Sequence, residues 1–276
     1  MNINNKVIAF CLVCELLVIT GCDKSLPAKV IPKQINVGHA GIIGDYNFYK
    51  NPPNFLKEAY YATGIIAVYD DNTDEVVSSA TGIYIKNVKD NTFYILTAAH
   101  SIYNISTKKI MGQRISFGYI HDKFEYKIVK LEGIPNINQK ISRKNDWVYI
   151  PIKEIKNRPY LNASQVISLD EISPKLLENI KPEELFSISF IETNSQKQLE
   201  RIYQTNFLLK FNKYIFPLLG TDMDTVKGMS GAPILHIVND EIKLIGITTS
   251  KSKTIGCSEY KIYECSNTIS LISGFE

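Results

Sequence analysis

Gly228-Met229-Ser230-Gly231-Ala232-Pro233 runs directly into Ile234-Leu235-His236-Ile237-Val238, so a serine between glycines sits on a turn that feeds an apolar strand. Such a turn can expose a serine hydroxyl beside bare backbone N–H groups. The hydroxyl is inert alone, because a base must take its proton before it can attack. Upstream, Thr97-Ala98-Ala99-His100 ends an apolar run in an imidazole, and Asp146 opens the run Trp147-Val148-Tyr149-Ile150. The order histidine, aspartate, serine is one of several in which convergent catalytic triads occur.

Working outward from these motifs, the chain reads as strands. Short runs rich in β-branched and aromatic residues cover Gly64–Tyr69, Val76–Ile85, Thr92–Leu96, Arg114–Ile120, Phe124–Leu131 and Asp146–Ile150. Turn clusters such as Asp70-Asp71-Asn72 and Lys89-Asp90-Asn91 separate them. A second set covers Leu185–Ile191, Leu199–Tyr203, Phe207–Phe211, Tyr214–Leu218, Pro233–Val238 and Lys243–Thr248. Only Pro174–Ile180 reads as helix, with Ser173 as its N-cap and proline at the first helical position. Two sets of six strands without alternating helices predict an all-β protein of two antiparallel barrels, and argue against a parallel α/β sheet.

Composition agrees with a globular protein: 276 residues, 45% hydrophobic and 21% charged. The net charge of +3 is spread along the chain without a basic run, so nucleic acid is not an expected partner. The sequence holds no His-Glu-x-x-His, paired Cys-x-x-Cys, phosphate-binding glycine loop or EF-hand pattern, and no metal or organic cofactor is expected.

The first residues read as an export signal. Met1–Lys6 carries a positive charge, and Val7–Thr20 is apolar but short for a membrane span. The following Ile19-Thr20-Gly21-Cys22 resembles the lipobox of bacterial lipoproteins. That resemblance implies lipidation of Cys22, cleavage before it, and a place in the bacterial cell envelope on the periplasmic or surface side. Glu15, Cys11 and Cys14 are unusual inside such a segment, and an ordinary cleaved signal or an uncleaved anchor are the other readings. The remaining pair, Cys257 and Cys265, either closes a short hairpin as a disulfide in an oxidising compartment or stays as two thiols; the disulfide is expected. The expected organisation is a signal peptide over 1–21, a tether and arm over 22–60, and one domain over 61–276. Its barrels cover about 61–155 and 180–276.

The three motifs, with Thr81-Gly82-Ile83-Tyr84-Ile85 one strand before the histidine, resemble the signature segments of trypsin-like (chymotrypsin-fold) serine peptidases from about Thr63 onward. The resemblance implies a double barrel, protein or peptide substrates, and His100 as general base, Asp146 as its orienting carboxylate and Ser230 as nucleophile. It also implies an oxyanion hole from the backbone N–H groups of Gly228 and Ser230. Digestive members of the family carry aspartate where Met229 stands, so their zymogen switch is absent here. Asp224, six residues before the serine, matches the base of the family's primary pocket. A carboxylate there implies a preference for Arg or Lys at P1. Thr248 and Thr249 fall on the strand expected to line that pocket, while Val226 stands where the family's flanking disulfide has a cysteine. An inactive homologue that uses the same barrels as a binding module is the alternative reading.

Overall fold

The computed structural model describes residues 42–43, 52, 54–107, 109–112, 114–122, 125–131, 141–142, 145–193, 198–205, 207–211, 216–221, 223, 225, 228–250 and 267–272. Asp224, Cys22, Cys257 and Cys265 lie outside these residues. The first part of the chain forms β1 (Ile42–Ile43), helix α1 (Lys57–Ala62), β2 (Thr63–Tyr69), β3 (Val76–Asn87), β4 (Thr92–Thr97), β5 (Tyr103–Asn104), β6 (Lys109–Ile110), β7 (Arg114–Asp122), β8 (Glu125–Leu131), β9 (Val148–Ile152) and β10 (Leu161–Asn162). After it come helix α2 (Pro174–Asn179), β11 (Leu185–Thr193), β12 (Gln198–Thr205), β13 (Leu209–Lys210), β14 (Leu218–Thr221), β15 (Pro233–Val238), β16 (Glu241–Ser250) and β17 (Asn267–Leu271).

Two sheets result. The first runs β8-β7-β2-β3-β4-β9, with β10 added in parallel beside β3. The second runs β1-β12-β11-β15-β16-β17-β14-β13, antiparallel throughout. Among the described residues each sheet holds six strands of four or more residues, and β1, β10 and β13 add two-residue ribbons. The first sheet curls until its outer strands β8 and β9 touch. The all-β, two-barrel class expected from the strand runs is the architecture found.

Turn chemistry sets the hairpins of the first sheet. Asp70 Oδ1 accepts the backbone N–H groups of Asn72 and Thr73 at 2.8 and 2.9 Å. The Asn72 bond, more than the Thr73 bond, holds that carboxyl below its usual range. Asn91 takes the left-handed conformation (φ 57°) that closes the β3–β4 turn, and Asp90 Oδ1 accepts the Thr92 N–H at 3.0 Å.

Several elements differ from the expectation. Helix α1 adds to the one helix expected; its six residues are too few to show helical periodicity, and burial of Ala59, Tyr60 and Ala62 holds it. Of the strand expected over Tyr214–Leu218, Tyr214 and Ile215 lie outside the described residues, Phe216 and Pro217 form a turn, and β14 starts at Leu218; Pro217 has no N–H to give a ladder. Strand β17 was not foreseen: Asn267-Thr268-Ile269-Ser270-Leu271 is half polar, yet it lies between β16 and β14. Helix α2 starts as expected, with the Leu176 N–H donating to Ser173 Oγ at 3.1 Å. From the arm, Ile42 and Ile43 pair with Gln204 and Tyr203 of β12. Among the described residues no helix is long and apolar enough to cross a membrane.

One apolar core spans the junction of the sheets. Ile66, Ile83, Ile95, Phe117 and Ile150 of the first sheet share it with Ile188, Leu235, Leu244 and Ile247 of the second. A second core inside the later sheet gathers Leu185, Phe207, Leu219, Met229, Ile234 and Ile269. Burial on this scale stabilises by roughly 25 cal/mol per Å² of apolar surface and fixes the sheets against each other.

Candidate active site

His100 stands in a single 3-10 turn, Ala99–Ser101, immediately after β4. Asp146 lies two residues before β9, the strand that pairs with β4. Register therefore brings the two together: Thr97 faces Val148, and both chains leave the sheet at the same end. The turn offers two amides to Asp146. Ala99 N–H donates to its backbone carbonyl at 3.3 Å, and His100 N–H to Oδ1 at 2.8 Å. The second oxygen, Oδ2, lies 2.6 Å from His100 Nδ1. Across the junction, Ser270 Oγ of β17 accepts the Asp146 N–H at 3.4 Å. Asp146 is 4% exposed, a carboxylate whose oxygens are turned to donors in place of water.

Ser230 comes from the other sheet, on the turn before β15. Gly228 and Gly231 hold that turn with φ of +98° and +82°, values that side chains resist. At Gly231 a Cβ would run into the Thr81 carbonyl oxygen and lie 2.5 Å from Thr97 Oγ1. Four backbone hydrogen bonds fasten the turn: Thr81 N–H to the Ser230 carbonyl at 2.8 Å, Gly231 N–H to the Thr248 carbonyl at 2.7 Å, and Thr248 N–H to the Ala232 carbonyl and Ala232 N–H to the Met229 carbonyl, both at 2.9 Å. Met229 points into the second core, fully buried, with the Gln204 amide 3.8 Å from its sulfur. Ser230 Oγ then lies 2.9 Å from His100 Nε2. The imidazole is about one-third exposed (34%), open enough to be reached.

The structure thus brings His100, Asp146 and Ser230 into one hydrogen-bonded line, with Gly228 beside the serine. Thr248 touches the same turn through its backbone. Its own hydroxyl is buried with no hydrogen-bond partner among the described residues. Thr249 Oγ1 faces away, to the Thr268 carbonyl at 3.2 Å. Asp224, expected at the pocket base, lies outside the described residues. Thr81, Thr97 and Ser270 were missed as members of the site. Thr81 and Thr97 stand inside quoted motifs, but nothing local marks their hydroxyls as cross-barrel contacts.

A second histidine–carboxylate pair among the described residues is separate. His236 Nε2 lies 3.2 Å from Glu184 Oε2, beside the 3-10 turn Pro182–Glu184.

No protein-family model and no curated protein matches the chain. Several solved structures share its shape. The thermostable serine protease AL20 from an extremophilic microorganism aligns at 9% identity over 78% of this chain and 92% of its own, with a TM-score of 0.50. The protease Anisep from Arthrobacter nicotinovorans aligns at 10% identity over 78% of this chain and 91% of its own, TM-score 0.48. The serine endoprotease from Yersinia pestis aligns at 16% identity over 83% of this chain, TM-score 0.45, and the alignment spans 63% of that protein's length. At such identities the likeness speaks for the fold. The fold is the chymotrypsin-like double barrel of serine proteases.

Proposed function

We propose that this chain is a serine endopeptidase that acts on proteins or peptides outside the bacterial cytoplasm. The observation that carries the reading is the continuous contact from Asp146 Oδ2 to His100 Nδ1 (2.6 Å) and from His100 Nε2 to Ser230 Oγ (2.9 Å). With Nδ1–H donated to the carboxylate, Nε2 is left as an acceptor for the serine proton. Ser230 Oγ attacks the scissile carbonyl carbon while His100 takes the proton. The C–O bond that forms pushes the carbonyl electrons onto oxygen. The N–H groups of Gly228 and Ser230 receive that oxyanion, a role supported by the positive φ of Gly228. As the intermediate collapses, the C–N bond breaks, and His100 gives its proton to the leaving amine. Water then repeats the sequence on the acyl-enzyme and restores the serine.

Two finer readings rest on the sequence. Asp224 at the pocket base favours Arg or Lys at P1 through charge complementarity. Lipidation of Cys22 tethers the domain to a membrane through the arm that precedes it. Cleavage profiling of a peptide library tests the first, and preference for Phe or Glu at P1 would overturn it. Cys22→Ser tests the second, with release from membranes expected.

The deciding experiment is a fluorophosphonate probe, which reacts with activated serines. Labelling of the wild type and its loss in Ser230→Ala are expected. A folded wild-type protein that takes no label would make the chain a binding module.

A further inference from the structure

Thr81 is the last residue before the glycine of β3, and it is fully buried where the two barrels meet. Its hydroxyl makes two hydrogen bonds to different parts of the second barrel. Phe190 N–H of β11 donates to Thr81 Oγ1 at 2.9 Å, and Oγ1 donates to the Gly228 carbonyl at 2.9 Å. The direction is forced. A backbone N–H can only donate, so the single hydroxyl proton is left for Gly228. The backbone of the same residue also takes part: Thr81 N–H donates to the Ser230 carbonyl at 2.8 Å, and Thr97 Oγ1 donates to the Thr81 carbonyl at 2.7 Å. One side chain therefore ties β3, β11 and the nucleophile turn together, and its backbone adds β4, the strand that leads to His100.

We propose that Thr81 is a positioning residue, whose hydroxyl holds the Gly228 carbonyl and so sets the peptide planes that present Ser230 Oγ to His100. This rests on the reading of Ser230 as nucleophile. Glycine tolerates both signs of φ, which gives the Gly228–Met229 peptide a freedom of orientation that contacts must limit. A buried hydroxyl aimed at the carbonyl removes that freedom, and loss of the bond strands a buried acceptor. The consequence falls on reaction geometry and spares substrate affinity, because Thr81 lies beneath the turn.

Thr81→Val keeps the shape and removes the donor, and Thr81→Ser keeps the donor. The probes are a fluorophosphonate and p-nitrophenyl acetate. Thr81→Val is expected to slow labelling about 10-fold or more and to lower kcat for the ester with KM little changed, while Thr81→Ser stays within about threefold of wild type. Equal rates in Thr81→Val and wild type, or equal losses in the valine and serine variants, would overturn the assignment. If Thr81→Val does not fold, Thr81→Cys replaces it: a thiol is a poor donor, so cysteine slower than serine supports the role and equality overturns it. Hydrogen exchange separates this claim from the hydrolase reading. If wild type takes no label, that reading fails by itself. Faster exchange of the Gly231 and Ala232 amides in the valine variant, and not in the serine variant, still upholds Thr81. Unchanged exchange overturns it.

Discussion

Asp146 grips His100 at two points: Oδ1 accepts its backbone N–H at 2.8 Å while Oδ2 meets ring Nδ1 at 2.6 Å. The carboxylate therefore fixes the position of the residue as well as the orientation of its ring. The two oxygens serve donors only, and a carboxylate is the one side chain that accepts at both ends.

Asp146→Asn should abolish most activity without unfolding the protein. The amide oxygen can keep the His100 N–H, which turns the NH₂ group toward Nδ1. The imidazole then carries its proton on Nε2 and cannot accept from Ser230. Labelling by a fluorophosphonate should fall about 10⁴-fold while thermal melting stays close to wild type. A variant that labels at wild-type rate would separate Asp146 from the chemistry.

Gly231→Ala tests the packing of the serine turn. At φ +82° an alanine is strained, and its methyl would collide with the Thr81 carbonyl, a backbone atom that cannot swing away. Conformational strain alone costs about 1–3 kcal/mol, and relief by movement would shift Ser230 from His100. Melting temperature and labelling rate should both drop. In Gly118→Ala the nearest atom to the added methyl is the Ile65 Cγ2 at 3.0 Å, so a smaller loss is expected there. Equal tolerance at both positions would contradict the tight contact at 231.

The sequence marks the three residues of the proposed triad more readily than the residues around them. His100, Asp146 and Ser230 stand out because each motif is local: a small-residue run before histidine, an aspartate opening an apolar strand, glycines around serine. Alternation and turn residues make the two barrels legible as well. What stays hidden depends on distant pairing. Thr81 gains its contacts only when β3, β11 and the serine turn converge, and Ser270 reaches Asp146 across 124 residues. Strand β17 hides for a related reason: its polar residues look like loop, and their burial is decided by the strands on either side. Pro217 brings no donor just before β14, a local rule that a run of apolar residues masks.

Glu184 makes a pH-dependent contribution away from the site. The Lys181 N–H, at 3.2 Å from Oε2, and next the His236 ring hold its carboxyl below the ordinary value of 4.5. The charged form is the one the fold favours, so its stabilisation is present above pH 4.5 and fades as pH falls through the lower folded value. Glu184→Gln mimics the protonated acid. Its melting temperature should lie below wild type at pH 7, and the gap should narrow as pH falls below 4.5. A gap that persists undiminished would place the effect outside the carboxylate charge.

Met229 occupies the position where digestive relatives of the resembled family carry an aspartate, and here it is fully buried among Leu185, Phe207, Leu219 and Ile234. The apolar side chain draws the serine turn into the second core, a hold that needs no new N-terminus. Met229→Asp would put a carboxylate into that core, with the Gln204 amide 3.8 Å from the position of the replaced sulfur. A single amide is a weak substitute for the ammonium that such an aspartate meets elsewhere, so the variant should lose about 3–5 kcal/mol in urea unfolding. Met229→Leu keeps volume and polarity and should cost less than about 1.5 kcal/mol, with labelling of Ser230 retained. If Met229→Asp is as stable as wild type, the turn is not anchored through this side chain. If Met229→Leu folds but fails to label, the sulfur contact to Gln204 does more than fill space.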